Sequence, residues 1–157
     1  MDWEDNSTQQ SFREEVKDFI DSQLPGRYRR DNLGSGQWTE DRHSPDSGQV
    51  ALANEWTKSL AEKGWIAPGW AKEYGGAGLS PMEQFILNHE LANYDAPMVG
   101  GQEISQIGPA IIVHGSDELK EEHLTRILTG KTNWAQGFSE PGAGSDLASL
   151  QTRAVRD

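Results

Sequence analysis

Apolar residues recur at three- and four-residue spacing up to about position 130, and the period then breaks down. Phe12, Val16, Phe19, Ile20 and Leu24 form the first helical stripe. Ser7-Thr8-Gln9-Gln10 ahead of it fits a capping box, in which side-chain oxygens take backbone N–H groups that the first turn leaves orphaned. Pro25-Gly26 ends that helix. Val50, Leu52, Ala53, Trp56 and Leu60 predict a second helix from near Gly48 to Lys63, with Gly64 just past its end. Ser80-Pro81-Met82-Glu83 is another capping box, with proline at the first helical position, and opens a helix to about Tyr94. Pro97 to His114 predicts a fourth helix of small and apolar residues, including Ile104, Ile107, Ile111, Ile112 and Val113. Ser116 caps a fifth, with Leu119, His123 or Leu124, Ile127 and Leu128 inward and Gly130 at its end.

The connections carry the remaining signals. Asp31 to Asp46 lacks periodicity and reads as an exposed loop with Trp38 as its anchor. Arg27-Tyr28-Arg29-Arg30 is a solvated basic loop or a phosphate contact. Gly75-Gly76-Ala77-Gly78 is a tight turn between helices or a ligand cradle. From Thr132 the pattern turns strand-like: Trp134, Ala135 and Phe138 make a short strand, and Leu150 to Val155 make a second. Between them lies Ser139-Glu140-Pro141-Gly142-Ala143-Gly144-Ser145. Pro141 fixes φ, the glycines permit φ > 0, and such a turn can aim several N–H groups at one anion. Ser139 and Ser145 add hydroxyls. The turn matches neither the dinucleotide fingerprint nor a Walker loop, and a plain turn is its other reading.

Composition narrows the classes. The chain has 157 residues, no cysteine, a net charge of −11 and 34% hydrophobic residues. The absence of cysteine excludes disulfides, thiolate nucleophiles and Cys-ligated metal. The acidic balance argues against nucleic acid and anionic membranes as partners. No apolar run reaches transmembrane length and Met1 to Asp5 is acidic rather than signal-like, so the expectation is a cytoplasmic protein. His43, beside Glu40 and Asp41, has no second histidine at ligand spacing, so no metal is expected. His89 reads as a hydrogen-bonded neighbour of Glu90 or Asn93.

The run Ser-Glu-Pro-Gly-Ala-Gly-Ser-Asp-Leu-Ala-Ser-Leu-Gln-Thr-Arg-Ala, from Ser139 to Ala154, resembles the signature of the acyl-CoA dehydrogenase family. Gly64-Trp65-Ile66-Ala67-Pro68 with Glu73 to Gly78, and His114 to Lys120 with Leu124, match the family in the same order. The resemblance covers roughly Gly64 to Asp157 and implies a mainly α fold. Residues 1–131 would be the N-terminal helical bundle, and 132–157 the first one or two strands of the middle β-barrel domain. It implies FAD as cofactor and α,β-dehydrogenation of an acyl-CoA thioester. Gln136, Phe138, Ser139, Gly144 and Ser145 would contact the flavin, and Ser145, Ser105 and Gln102 the substrate. Ser139 stands where many relatives have threonine, and Gln136 where many have an aromatic residue.

Gly100, Gly101, Ser105 and Gly108 then read as close helix packing or as a roomy acyl pocket. The acidic net charge opposes long-range steering of CoA or FAD, leaving local N–H groups and arginines to hold them. The family's proton-abstracting glutamate belongs to a C-terminal domain, so no catalytic residue is assigned; Glu140 reads as structural, and Glu103 as a surface or packing residue. The expected partners are acyl-CoA, the remaining domains or a second subunit in a homo- or hetero-oligomer, and an electron-accepting flavoprotein. The end at Asp157 suggests the N-terminal part of a longer enzyme. The alternative is a complete, non-catalytic binding or assembly subunit of a heteromeric complex.

Overall fold

The computed structural model describes residues 4–132 and 134–156. Its helices are α1 (Ser7–Gln23), α2 (Gly36–Asp41), α3 (Ser47–Glu62), α4 (Pro81–Asn93), α5 (Gly108–His114) and α6 (Asp117–Leu128). A π-helical turn, Glu103–Ile107, runs directly into α5.

The stripes of α1, α3 and α4 meet in one core, whereas Leu119 of α6, expected inward, is exposed. Val16, Phe19 and Ile20 of α1 pack with Ala53, Trp56 and Leu60 of α3 and with Leu87 and Leu91 of α4. Phe19 sits edge-on to Trp65, with ring centroids 4.7 Å apart. Each large apolar side chain fully buried here contributes about 1.5–3 kcal/mol. A second cluster, Ala67, Trp70, Leu124 and Ile127, joins the loop after α3 to α6.

The helix ends follow local chemistry. Ser80 and Glu83 form the capping box before α4, with Pro81 behind the cap. Gly64, at φ 69°, and Gly130, at φ 64°, take the left-handed conformation that ends α3 and α6. In both cases the two following N–H groups turn back onto the last carbonyls: Trp65 to Leu60 at 2.9 Å, and Lys131 to Arg126 at 3.0 Å.

Four expectations are corrected. The first cap is Asn6, not Ser7: its side chain accepts from Gln9 N at 2.9 Å, and the Gln9 side chain accepts from Asn6 N. The loop 31–46 contains α2, because Trp38 is buried and the buried Asp41 needs a cationic partner, which the half-buried Arg27 supplies. The segment from Pro97 is not helical until past Gly101: Gly100 has φ 107°, and the π turn and α5 follow.

The anticipated strands are the fourth. Among the described residues no β-strand forms, and the pairing between Glu140 and Ala143 is an isolated bridge closing a turn. A strand needs a neighbouring strand for its N–H and C=O groups, and among the described residues no strand pairs with 134–139 or 150–155. The fold is therefore mainly α. No helix among the described residues is long and apolar enough to cross a membrane.

Candidate functional site

A cleft of about 790 Å³ opens between the loop after α3, the face of α4 and the segment 98–109. Trp65, Ile66, Leu91 and Ile104 give it apolar walls, and Gln84 and Asn88 add two carboxamides. Its rim is held from below, where the buried Trp56 indole donates to Pro97 O at 2.8 Å. Its far wall depends on the π turn. Gly108 N–H bonds Glu103 O, five residues back, so it is lost to Ile104 O; Pro109, next in line, has no N–H. Trp70 fills the gap, its indole donating to Ile104 O at 3.1 Å.

That arrangement assigns one of the small residues to packing, whereas Gly100, Gly101 and Ser105 line the cleft. A side chain on Gly108 would collide with the Trp70 ring and come within 2.9 Å of Glu103 O, so this glycine serves close packing. Gln102 and Ser105 both line the cleft, but the Ser105 hydroxyl donates to Gly101 O at 3.2 Å. It retains only acceptor capacity for a ligand.

The turn at 140–143 is closed by Ala143 N to Glu140 O, 3.0 Å, and Glu140 N to Ala143 O, 3.2 Å. The Glu140 carboxylate accepts from the Thr152 hydroxyl, from Thr152 N at 2.6 Å and from Gln151 N at 3.0 Å. The bond from the Thr152 hydroxyl, then those two N–H groups, hold its pKa below the ordinary glutamate value. Its oxygens are spent on tying the turn to the following segment. Gln136, Phe138, Ser139, Gly144 and Ser145 are all exposed, Phe138 by 58%. The Ser139 and Ser145 hydroxyls have no partner among the described residues. Neither Gly142 nor Gly144 has a positive φ, and a side chain on either would meet nothing within 4 Å. These five residues do not line the cleft; Gln102 and Ser105 do.

Comparison with known sequences decides the family. The model for "Acyl-CoA dehydrogenase, N-terminal domain" matches residues 6–131. The chain belongs to the acyl-CoA dehydrogenase family. It is 39% identical over 152 residues to acyl-CoA dehydrogenase FadE26 of Mycobacterium tuberculosis, covering 95% of this chain and 35% of that protein. The ChsE4-ChsE5 complex from M. tuberculosis superposes with a TM-score of 0.69 at 35% identity, covering 100% of this chain and 36% of the matched chain. The Tcur3481-Tcur3483 steroid ACAD gives a TM-score of 0.69 at 33% identity, with 100% and 38% covered. The chain thus spans little more than a third of the length of these acyl-CoA dehydrogenase relatives.

Two charged clusters in this acyl-CoA dehydrogenase domain lie outside the cleft lining and brace the helices. Arg27 Nε meets Asp41 at 2.5 Å, and Tyr28 OH and Gln37 also donate to that carboxylate. These bonds, Arg27's foremost, hold Asp41 below the ordinary aspartate range against the opposing effect of burial. Arg27 is therefore a structural partner, not a phosphate ligand or a solvated loop residue. Arg13 links α1 to α4 by an ion pair with the buried Glu90. Burial pushes the Glu90 carboxyl up, and bonds from Arg13, His89 and Asn93 outweigh it and leave it lowered. His89 Nδ1 lies 3.1 Å from both Glu90 and Asn93, as expected of a structural histidine. No group of three or more His, Asp or Glu among the described residues is placed to hold a metal.

Sequence reasoning missed the Trp70–Ile104 link and the Gln84–Asn88 pair. The dipeptide Gly108-Pro109 was the signal for the first, since proline inside an apolar helical run must leave a carbonyl open. The spacing of 84, 88 and 91 was the signal for the second, because residues four and seven apart share one helix face.

Proposed function

We propose that this chain forms the acyl-tail cleft and one edge of the flavin site of an FAD-dependent acyl-CoA dehydrogenase. The reaction is α,β-dehydrogenation of an acyl-CoA thioester. The open turn is the observation that carries this reading: two glycines without conformational or packing need within the chain, flanked by two unpartnered hydroxyls. FAD, when bound, supplies the acceptor for the electrons that leave the Cα–Cβ bond. Ser139 and adjacent backbone groups hold the polar edge of the ring, with Gln136 and Phe138 beside it. Gly144 would let the backbone approach the cofactor, and the Ser145 hydroxyl would donate a hydrogen bond to its phosphate or to the thioester. Residues 1–131 act as the helical domain and 132–157 as the opening of the β domain, whose strands form once the neighbouring strands are present.

The α-proton is removed by a carboxylate outside these residues. Among the described residues no Asp or Glu lines the cleft, and Glu140 is committed to Gln151 and Thr152. One relative's name carries a steroid, and a cleft of about 790 Å³ suits a fused-ring acyl group of that bulk. Another relative is a two-component complex, which favours assembly with a second dehydrogenase chain. An electron-accepting flavoprotein then reoxidises the enzyme.

The test is co-production with the segments or subunit that complete such a dehydrogenase. The assembly should carry flavin whose visible absorbance bleaches anaerobically on addition of a fused-ring acyl-CoA. A flavin-loaded assembly that no acyl-CoA bleaches would overturn the proposal, as would dye reduction by this chain alone. A preference for short straight-chain thioesters would overturn the bulky-substrate part.

A further inference from the structure

Three carboxamides line the cleft, Gln84, Asn88 and Gln102, and two of them share one face of α4. Gln84 and Asn88 are four residues apart on α4, with Leu91 one turn further on the same face, and all three line the cleft. The Gln84 amide is fixed: its NH₂ donates to Leu79 O at 2.8 Å. It lies flat against Gly69, where an added side chain would come within 2.9 Å of Oε1 and 3.0 Å of Nε2. Gly69 thus makes room for this amide, and its carbonyl oxygen is left as an acceptor. Asn88 has no hydrogen-bond partner among the described residues, so it offers both a donor and an acceptor.

Polar groups lining an open cleft are hydrated, and those hydrogen bonds to water count. A bulky acyl group expels that water and must replace its hydrogen bonds, or strand two amides in an apolar enclosure. A site built to bond a polar group rejects the analogue lacking it more strongly than an apolar pocket rejects a missing methylene.

We propose that Gln84 and Asn88 form a specificity strip that reads a hydrogen-bonding oxygen on the acyl group. The cleft then selects bulky acyl thioesters bearing a carbonyl or hydroxyl over hydrocarbon isosteres. A carbonyl accepts from the Asn88 NH₂, and a hydroxyl donates to either amide oxygen. This inference rests on the dehydrogenase reading above.

The test compares two fused-ring acyl-CoA thioesters of equal size, one carrying a ring carbonyl or hydroxyl and one a methylene there. In the assembled enzyme, the ratio of kcat/KM values, oxygenated over hydrocarbon, should be about tenfold or more. In Asn88→Leu it should fall several-fold, the Gln84 oxygen being left as an acceptor for a hydroxyl. Asn88 is exposed and makes no bond to the fold, so this variant tests recognition rather than stability. A ratio near one in the parent enzyme, or one unchanged in Asn88→Leu, overturns the proposal. The ratio of Kd values for the same pair separates the two ideas. Absent turnover with the Kd ratio retained sinks the dehydrogenase reading, and a Kd ratio near one with turnover retained sinks the carboxamide reading.

Discussion

The loop at 75–78 and the turn at 142–144 are both short glycine- and alanine-rich stretches with opposite surroundings. Gly75 is pressed by Leu128, whose Cδ1 would lie 2.5 Å from an added side chain. Gly76 is hemmed in by the carbonyl oxygens of Trp70 and Ala67. The chain's own packing explains both glycines, although a concavity of about 570 Å³ does open beside Gly75, Gly76 and Ala77. An added side chain on Gly142 or Gly144 would meet nothing within 4 Å, and neither has a positive φ. Neither packing nor backbone conformation within this chain explains their small size. A glycine-rich loop becomes evidence for a ligand only after packing and backbone conformation have failed to explain it.

The largest effect should come from filling the packed loop. In Gly76→Ala the new methyl would lie within 2.7 Å of Ala67 O and closer still to Trp70 O. Both are backbone atoms and cannot swing aside, so the loop, and with it the Trp70 prop on Ile104, must shift. The expected loss is about 3 kcal/mol or more in a urea titration. A loss under about 0.5 kcal/mol would erase the contrast between the two loops.

Next in size is the buried ion pair joining α1 to α4. Arg13→Leu leaves the buried Glu90 carboxylate without its cation, a loss of about 2–4 kcal/mol at neutral pH. The pH dependence has a definite sign. Asp41 and Glu90 are held below their ordinary pKa values, so they stabilise the fold above about pH 4. That stability drains away as pH falls from there through their folded values. Arg13→Leu removes Glu90's share, so its stability should decline less steeply on acidification than the parent's. Parallel acid limbs by circular dichroism would contradict the assignment.

The helices were readable because their signals are local: Ser80 and Glu83 lie three residues apart, and Gly64 and Gly130 mark ends by backbone conformation alone. What escaped depends on contacts distant in sequence. Arg27 and Asp41 look solvated until Trp38 carries α2 into the core, and Ile104 O needs a tryptophan thirty-four residues upstream. The strand pattern around Trp134 and Leu150 states an alternation, but alternation makes a strand only beside another strand. The site was legible in a similar measure. Gln102 and Ser105 do line the cleft, whereas the signature turn's exposure shows what this chain leaves open, not what fills it.

The smallest expected change in stability is also the sharpest test of that opening. Gly142→Ala adds a methyl where nothing lies within 4 Å, at an ordinary φ. The folded chain should change by no more than about 0.5 kcal/mol, since alanine also restricts the unfolded state. If the turn meets a flavin in the assembled enzyme, the same methyl enters the ligand's space. Visible flavin absorbance per polypeptide should drop several-fold after gel filtration, while the melting curve of this chain is unmoved. Gly76→Ala inverts the pattern, losing stability first and flavin only as a consequence. Full flavin retention in Gly142→Ala would mean that the open space around the turn is bare solvent, and that its glycines mark a surface loop.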